Sequence, residues 1–98
     1  MTIESEKLLE RKLYNGIKKL GGISIKLASL HFIGLPDRLC LLPVGHLFFA
    51  EIKTTKMKPR KIQLHVHKKL RDIGFIVEII DTSEQIIEIL NRYERKPL

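Results

Sequence analysis

Little in this chain fits a secreted or membrane-spanning protein. It has one cysteine, Cys40, so no internal disulfide can form, and a thiol inside an apolar run reads as a small core residue. No apolar stretch is long enough to cross a bilayer. The opening residues Met1-Thr2-Ile3-Glu4-Ser5-Glu6 are polar and acidic, unlike the basic-then-apolar start of a secretion signal. Internal repeats, low-complexity tracts and linkers are lacking, and 98 residues make one domain with one core. The expectation is a single domain over residues 1-98 in a reducing, cytoplasmic setting, with no membrane partner and no small-molecule cofactor. Acids are also scarce: 11 Asp and Glu face 18 Lys and Arg, a formal charge of +7. On so short a chain that excess points to a polyanionic partner, nucleic acid above all.

Periodicity divides the chain into seven elements. Ile3 to Leu20 reads as a helix, with Leu9, Leu13, Ile17 and Leu20 at helical spacing, Thr2 as N-cap and Gly21-Gly22 as its stop. Gly22 to Leu30 reads as a strand in which Ile23, Ile25 and Leu27 alternate with Ser24 and Lys26. A loop from His31 to Pro36 leads into two apolar runs, Arg38–Leu42 and His46–Lys53, joined at Pro43-Val44-Gly45 by a tight hairpin turn. A second helix is predicted from Arg60 to Asp72, with Ile62, Val66, Leu70 and Ile73 as its buried stripe and Gly74 as its stop. Phe75 to Ile80 reads as a short strand. Thr82 with Gln85 forms a capping box for a last helix carrying Ile86, Ile89, Leu90 and Tyr93. The order is α-β-β-β-α-β-α. A helix between the third and fourth strands implies a parallel crossover, so the class is α/β, a mixed sheet flanked by helices.

Carboxylates stand where carboxylates are costly. At about 100° per residue, Leu9, Leu13, Ile17 and Leu20 fall within about 60° of Glu6, and Glu10 lies in the same sector. A carboxylate on an apolar helix face needs a partner, since burying it alone costs several kcal/mol. In Leu47-Phe48-Phe49-Ala50-Glu51-Ile52-Lys53, Glu51 and Lys53 project from the same face of an otherwise apolar strand. Standing alone they could be a simple ion pair. The hairpin, however, brings Glu51 back toward Asp37, which follows Pro36 at the mouth of the preceding strand. Two hard oxygen donors on rigid strand ends suit Mg²⁺ or Mn²⁺, and a lysine beside them can orient or deprotonate an attacking water.

Gly34-Leu35-Pro36-Asp37, thirteen intervening residues, and then Glu51-Ile52-Lys53 resemble the motifs of the PD-(D/E)xK nuclease superfamily. With a helical glutamate ahead, Glu10, and a helical glutamine behind, Gln63, the pattern is similar to the virus-type replication–repair branch, the VRR-NUC domain. The resemblance runs from Glu6 to Asp81 and implies a restriction-endonuclease-like core, of the stand-alone phage type rather than that of the large Fanconi-associated repair nuclease. It implies that Asp37, Glu51, the Ile52 carbonyl and Glu10 hold the metal, that Lys53 activates water and steadies the phosphate, and that Gln63 holds a water or Lys53 in place. The implied reaction is metal-dependent hydrolysis of DNA phosphodiester bonds by an endonuclease.

Lys56, Lys58, Arg60 and Lys61 follow the Glu-x-Lys strand, where a DNA backbone would lie, and Arg38 is a further candidate phosphate contact. His65 and His67, two apart on a helix, do not face each other. Gln63 and His67, four apart, share a face; the glutamine is the candidate and the histidine is left open. His31 is a candidate substrate contact. One site cuts one strand, so a homodimer on a two-fold branched substrate such as a four-way junction is expected, with Leu64 a candidate for dimer surface. Two alternatives are a non-catalytic DNA-binding module and a subunit of a larger replication or repair complex.

Overall fold

A computed structural model describes residues 5–54 and 58–94. Its elements are α1 (Glu6–Lys19), β1 (Ile23–Lys26), β2 (Arg38–Leu41), β3 (Leu47–Ile52), α2 (Lys61–Asp72), β4 (Val77–Ile80) and α3 (Ser83–Tyr93). The sheet order is β1-β2-β3-β4, antiparallel for the first two pairings and parallel for β3 with β4. This is the mixed α/β arrangement expected, with α2 as the crossover.

Several boundaries differ, each for a local reason. Ser5, not Thr2, caps α1: its hydroxyl accepts the Leu8 N–H at 3.1 Å, and Thr2 lies outside the described residues. The helix ends as expected, Gly21 taking φ +89° so that its own N–H and that of Gly22 reach the Lys18 and Ile17 carbonyls. β1 is shorter than predicted. Its ladder closes with the Leu27 N–H on the Asp37 carbonyl, and Ser29 then turns the chain by accepting the His31 and Phe32 N–H groups. β4 begins at Val77 because the Phe75 N–H is spent on the Leu70 carbonyl, closing α2 through Gly74 at φ +103°. The hairpin turn at Pro43–Gly45 is tight, with Val44 at φ 65° and Gly45 at φ 76°. Both capping-box bonds at Thr82 and Gln85 are present.

The core lies on one face of the sheet. Leu9, Leu13 and Ile17 of α1 and Ile86 and Ile89 of α3 pack on Cys40, Phe48, Ala50, Ile52 and Ile80. Each such Leu or Ile contributes about 1.5–3 kcal/mol by leaving water. Cys40 is wholly buried and its thiol is pushed up to about 11 by that burial, so it is a core residue with an inert thiol.

Two apolar stripes are oriented differently from expectation. In β1 the buried residue is Ser24, which pairs with Cys40 beneath α1, while Ile23 and Ile25 face outward at 61% and 41% exposure. Among the described residues no helix covers that side of β1. In α2 the inward stripe is Gln63, Val66, His67 and Leu70, whereas Ile62 and Ile73 are exposed. Both stripes have helical spacing, so period alone could not choose between them. The choice was made by what α2 covers: not more core, but the charged end of β3.

Candidate active site

Asp37 owes its place to the three residues before it. Gly34 sits at φ +97°, a backbone state that side-chain-bearing residues rarely adopt, and a Cβ there would lie 2.8 Å from Val66 Cγ2 and 2.9 Å from the Ile62 carbonyl oxygen. Glycine is thus required both for the turn and for the close approach of the loop to α2. Pro36 is fully buried and anchors the chain as it enters β2. The β2–β3 register pairs Arg38 with Ala50; extended by one residue it sets Asp37 across from Glu51, on the same face. The Asp37 carboxylate accepts the Ile52 N–H at 2.9 Å, locking it onto β3.

Glu51 is a carboxylate with no exposed surface. Its Oε2 accepts a hydrogen bond from Gln63 Nε2 at 2.8 Å and lies 3.4 Å from Lys53 Nζ. Burial first, and then the charge of Asp37, raise its pKa above the usual carboxylate value; Lys53 opposes both. Its Oε1 has no hydrogen-bond partner among the described residues. Gln63 has a second duty. Its Oε1 accepts the Arg60 N–H at 2.8 Å, closing the first turn of α2, so one amide ties the helix start to the buried acid. Lys53 continues β3, its backbone N–H on the Ile80 carbonyl and its side chain 21% exposed.

The structure therefore brings together Asp37, Glu51, Lys53 and Gln63 at one end of β3. It places the other candidates elsewhere. Glu10 rises from α1, on the opposite face of the sheet, with its carboxylate 3.9 Å from the Arg38 guanidinium. Arg38 is turned toward α1, 3.4 Å from the Ser24 hydroxyl and over the Tyr14 ring, with a side chain only 13% exposed. Among the described residues no three carboxylate, imidazole or thiol groups converge in a way that would hold a metal. Lys58, Arg60 and Lys61 are exposed around the start of α2, beside Gln63, while Lys56 lies outside the described residues. His31 is exposed on the loop ahead of Asp37, and His65 on the outer side of α2.

His67 is the residue that sequence reasoning left aside. It is fully buried, with Nε2 3.9 Å from Glu51 Oε1. The available signal was its spacing of four from Gln63, which on a helix means a shared face.

No family model matches the sequence. Over 84 residues the chain is 36% identical to "Putative nuclease p44" of Acyrthosiphon pisum secondary endosymbiont phage 1, covering 86% of this chain and 90% of that protein. A solved VRR_NUC domain superposes with a TM-score of 0.83 at 29% identity, over 90% of this chain and 96% of its own. The chain belongs to the VRR-NUC nuclease family.

Its four-stranded mixed sheet and three helices are the restriction-endonuclease-like fold of the VRR-NUC domain. In this VRR-NUC chain the Asp37–Glu51 pair and Lys53 lie at one end of β3, and Lys58, Arg60 and Lys61 are exposed around the start of α2. No helix of the described residues is long and apolar enough to cross a membrane.

Proposed function

We propose that this VRR-NUC domain is a Mg²⁺- or Mn²⁺-dependent DNA endonuclease, selective for branched DNA and active as a homodimer. The observation that carries the reading is Glu51, a buried carboxylate held across from Asp37 with one oxygen gripped by Gln63 and Lys53 and the other without a partner among the described residues. A buried acid whose ionisation is made costlier by burial and by the neighbouring Asp37 charge favours a divalent cation. With so few protein ligands, Mg²⁺ fits best, since it keeps several waters and binds through one or two carboxylates. Asp37, Glu51 and the Ile52 carbonyl would hold it. When bound, the ion supplies a hydroxide-like nucleophile near neutral pH and neutralises charge on the phosphate.

The chain's own residues do the rest. Lys53, partly exposed, orients the attacking water and donates to a non-bridging phosphate oxygen as negative charge builds there. Gln63 holds Glu51 correctly turned through its 2.8 Å bond to Oε2. Lys58, Arg60 and Lys61 draw in the phosphodiester backbone, each neutralised phosphate adding a salt-dependent increment to affinity. Outward apolar residues, Ile23, Ile25, Ile62, Leu64 and Ile73 among them, support self-association, because few monomers leave so much apolar surface in water. Two such sites related by a two-fold axis suit a symmetric junction.

A cleavage panel over linear, flap, fork and four-way DNA, with EDTA, Mg²⁺ and Mn²⁺ arms, tests the proposal. Cleavage that needs the cation, favours a branched substrate and disappears in Asp37→Asn and Lys53→Met is expected. Cation-independent cleavage, or full activity in either variant, would overturn the chemistry. Sedimentation showing only monomer at micromolar concentration would overturn the dimer.

A further inference from the structure

His67 sits against the site without a part in the reaction just described. It lies one turn beyond Gln63 on α2, with no exposed surface. Three buried polar atoms meet there without partners among the described residues: Glu51 Oε1, His67 Nε2 and His67 Nδ1. Leaving a buried polar atom unpaired costs about 1–3 kcal/mol, so a helix that needed only packing at this position would do better with leucine. The imidazole instead points its Nε2 at the one oxygen of Glu51 that Gln63 and Lys53 leave free, 3.9 Å away. A shift of about 1 Å closes that gap to a hydrogen bond.

We propose that His67 is a positioning residue for Glu51, its Nε2–H donating to Oε1 and fixing the rotation of the carboxylate while Gln63 holds Oε2. Gln63 and His67 are then two donors one helical turn apart, gripping the two oxygens of a single acid. The carboxylate keeps its orientation, and lone pairs stay available to a cation. Partners of this kind orient metal-binding acids, and their loss costs about 10–100-fold in metal affinity or activity. The inference rests on the cation-dependent reading above.

The test compares His67→Leu, which fills the space without a donor, with His67→Gln, whose amide N–H can reach the same oxygen. Mn²⁺ binding to the DNA-free protein is measured by calorimetry, cleavage by its dependence on Mn²⁺ concentration, and folding by thermal melting. The leucine variant should melt at or above the wild-type temperature yet bind Mn²⁺ at least tenfold more weakly and cleave correspondingly more slowly. The glutamine variant should recover most of the affinity. Wild-type Mn²⁺ affinity in His67→Leu would refute the role, as would equal losses in both variants that track a lowered melting temperature. If the leucine variant does not fold, His67→Met against His67→Gln makes the same comparison. A wild type that neither binds Mn²⁺ nor cleaves with it refutes the metal reading itself; variants that match an active wild type refute only His67.

Discussion

Replacing Gln63 exposes how the site is held together, because one amide serves both the helix and the acid. In Gln63→Leu the volume is nearly kept, but two interactions are lost. The first is the 2.8 Å bond from Nε2 to the buried Glu51 carboxylate, a charge-assisted hydrogen bond worth about 1.5–3 kcal/mol. The second is acceptance of the Arg60 N–H at 2.8 Å, a helix-start contact worth about 1 kcal/mol. Apolar burial of the leucine offsets part of this, leaving a net loss of about 2–4 kcal/mol. For a domain of this size that lowers the melting temperature by on the order of 10–25 °C. Gln63→Glu separates the two contributions. It keeps the acceptor for Arg60 but sets a second carboxylate against Glu51. The folded state then holds a proton that the unfolded chain releases, so stability falls as pH rises. Urea unfolding of both variants at pH 5 and pH 8 reads the difference: both lose a donor to the ionised Glu51 and should be weaker at pH 8, the glutamate variant, which adds a second carboxylate, by the larger margin. A leucine variant within about 0.5 kcal/mol of wild type, cleaving at the wild-type rate, would refute the double role.

Glu51→Gln should abolish cleavage yet stabilise the fold at pH 8 by about 1–3 kcal/mol. The folded-state pKa of Glu51 lies above its unfolded value, so its stabilising contribution is present below that unfolded value and lost as pH rises through the folded one. The variant's advantage should accordingly shrink as the pH is lowered toward 4.5, and melting curves across that range check it. Gly34→Ala should cost about 2–4 kcal/mol, since φ +97° disfavours a side chain and its Cβ meets the Ile62 carbonyl oxygen, which cannot move aside. Cleavage measured where the variant is still folded should fall further than stability alone explains, because Asp37 moves with the loop. Val44→Asn should raise stability by about 1 kcal/mol in denaturant titration: Val44 is a β-branched residue at φ 65° with 75% of its surface exposed, and asparagine tolerates that conformation at little loss of packing.

Much of the fold is written in local patterns. The Gly21-Gly22 stop of α1, the Thr82–Gln85 capping box and the Pro43–Gly45 turn are each decided by a few adjacent residues, so they are legible without the rest of the chain. The pairing of Asp37 with Glu51 is nearly as local, because a tight hairpin leaves one register, and two residues across a ladder share a face. The sequence by itself therefore determined the element order, the mixed sheet and the convergence of Asp37, Glu51 and Lys53.

What lies between elements distant in sequence was decided by tertiary structure. Residues 62, 66, 70 and 73 and residues 63, 66, 67 and 70 make equally good helical stripes, and only the seating of α2 over Glu51 selected the second. That seating buries Gln63 and His67, where a hydrophobic stripe had been expected, and leaves Ile62 and Ile73 in water. In the same way, Glu10 reads as an acid on the core face of α1, yet α1 lies across the sheet from Glu51 and Arg38 meets the carboxylate first. Periodicity reports which residues share a side. Which side faces the chemistry depends on where the sheet places the buried Glu51.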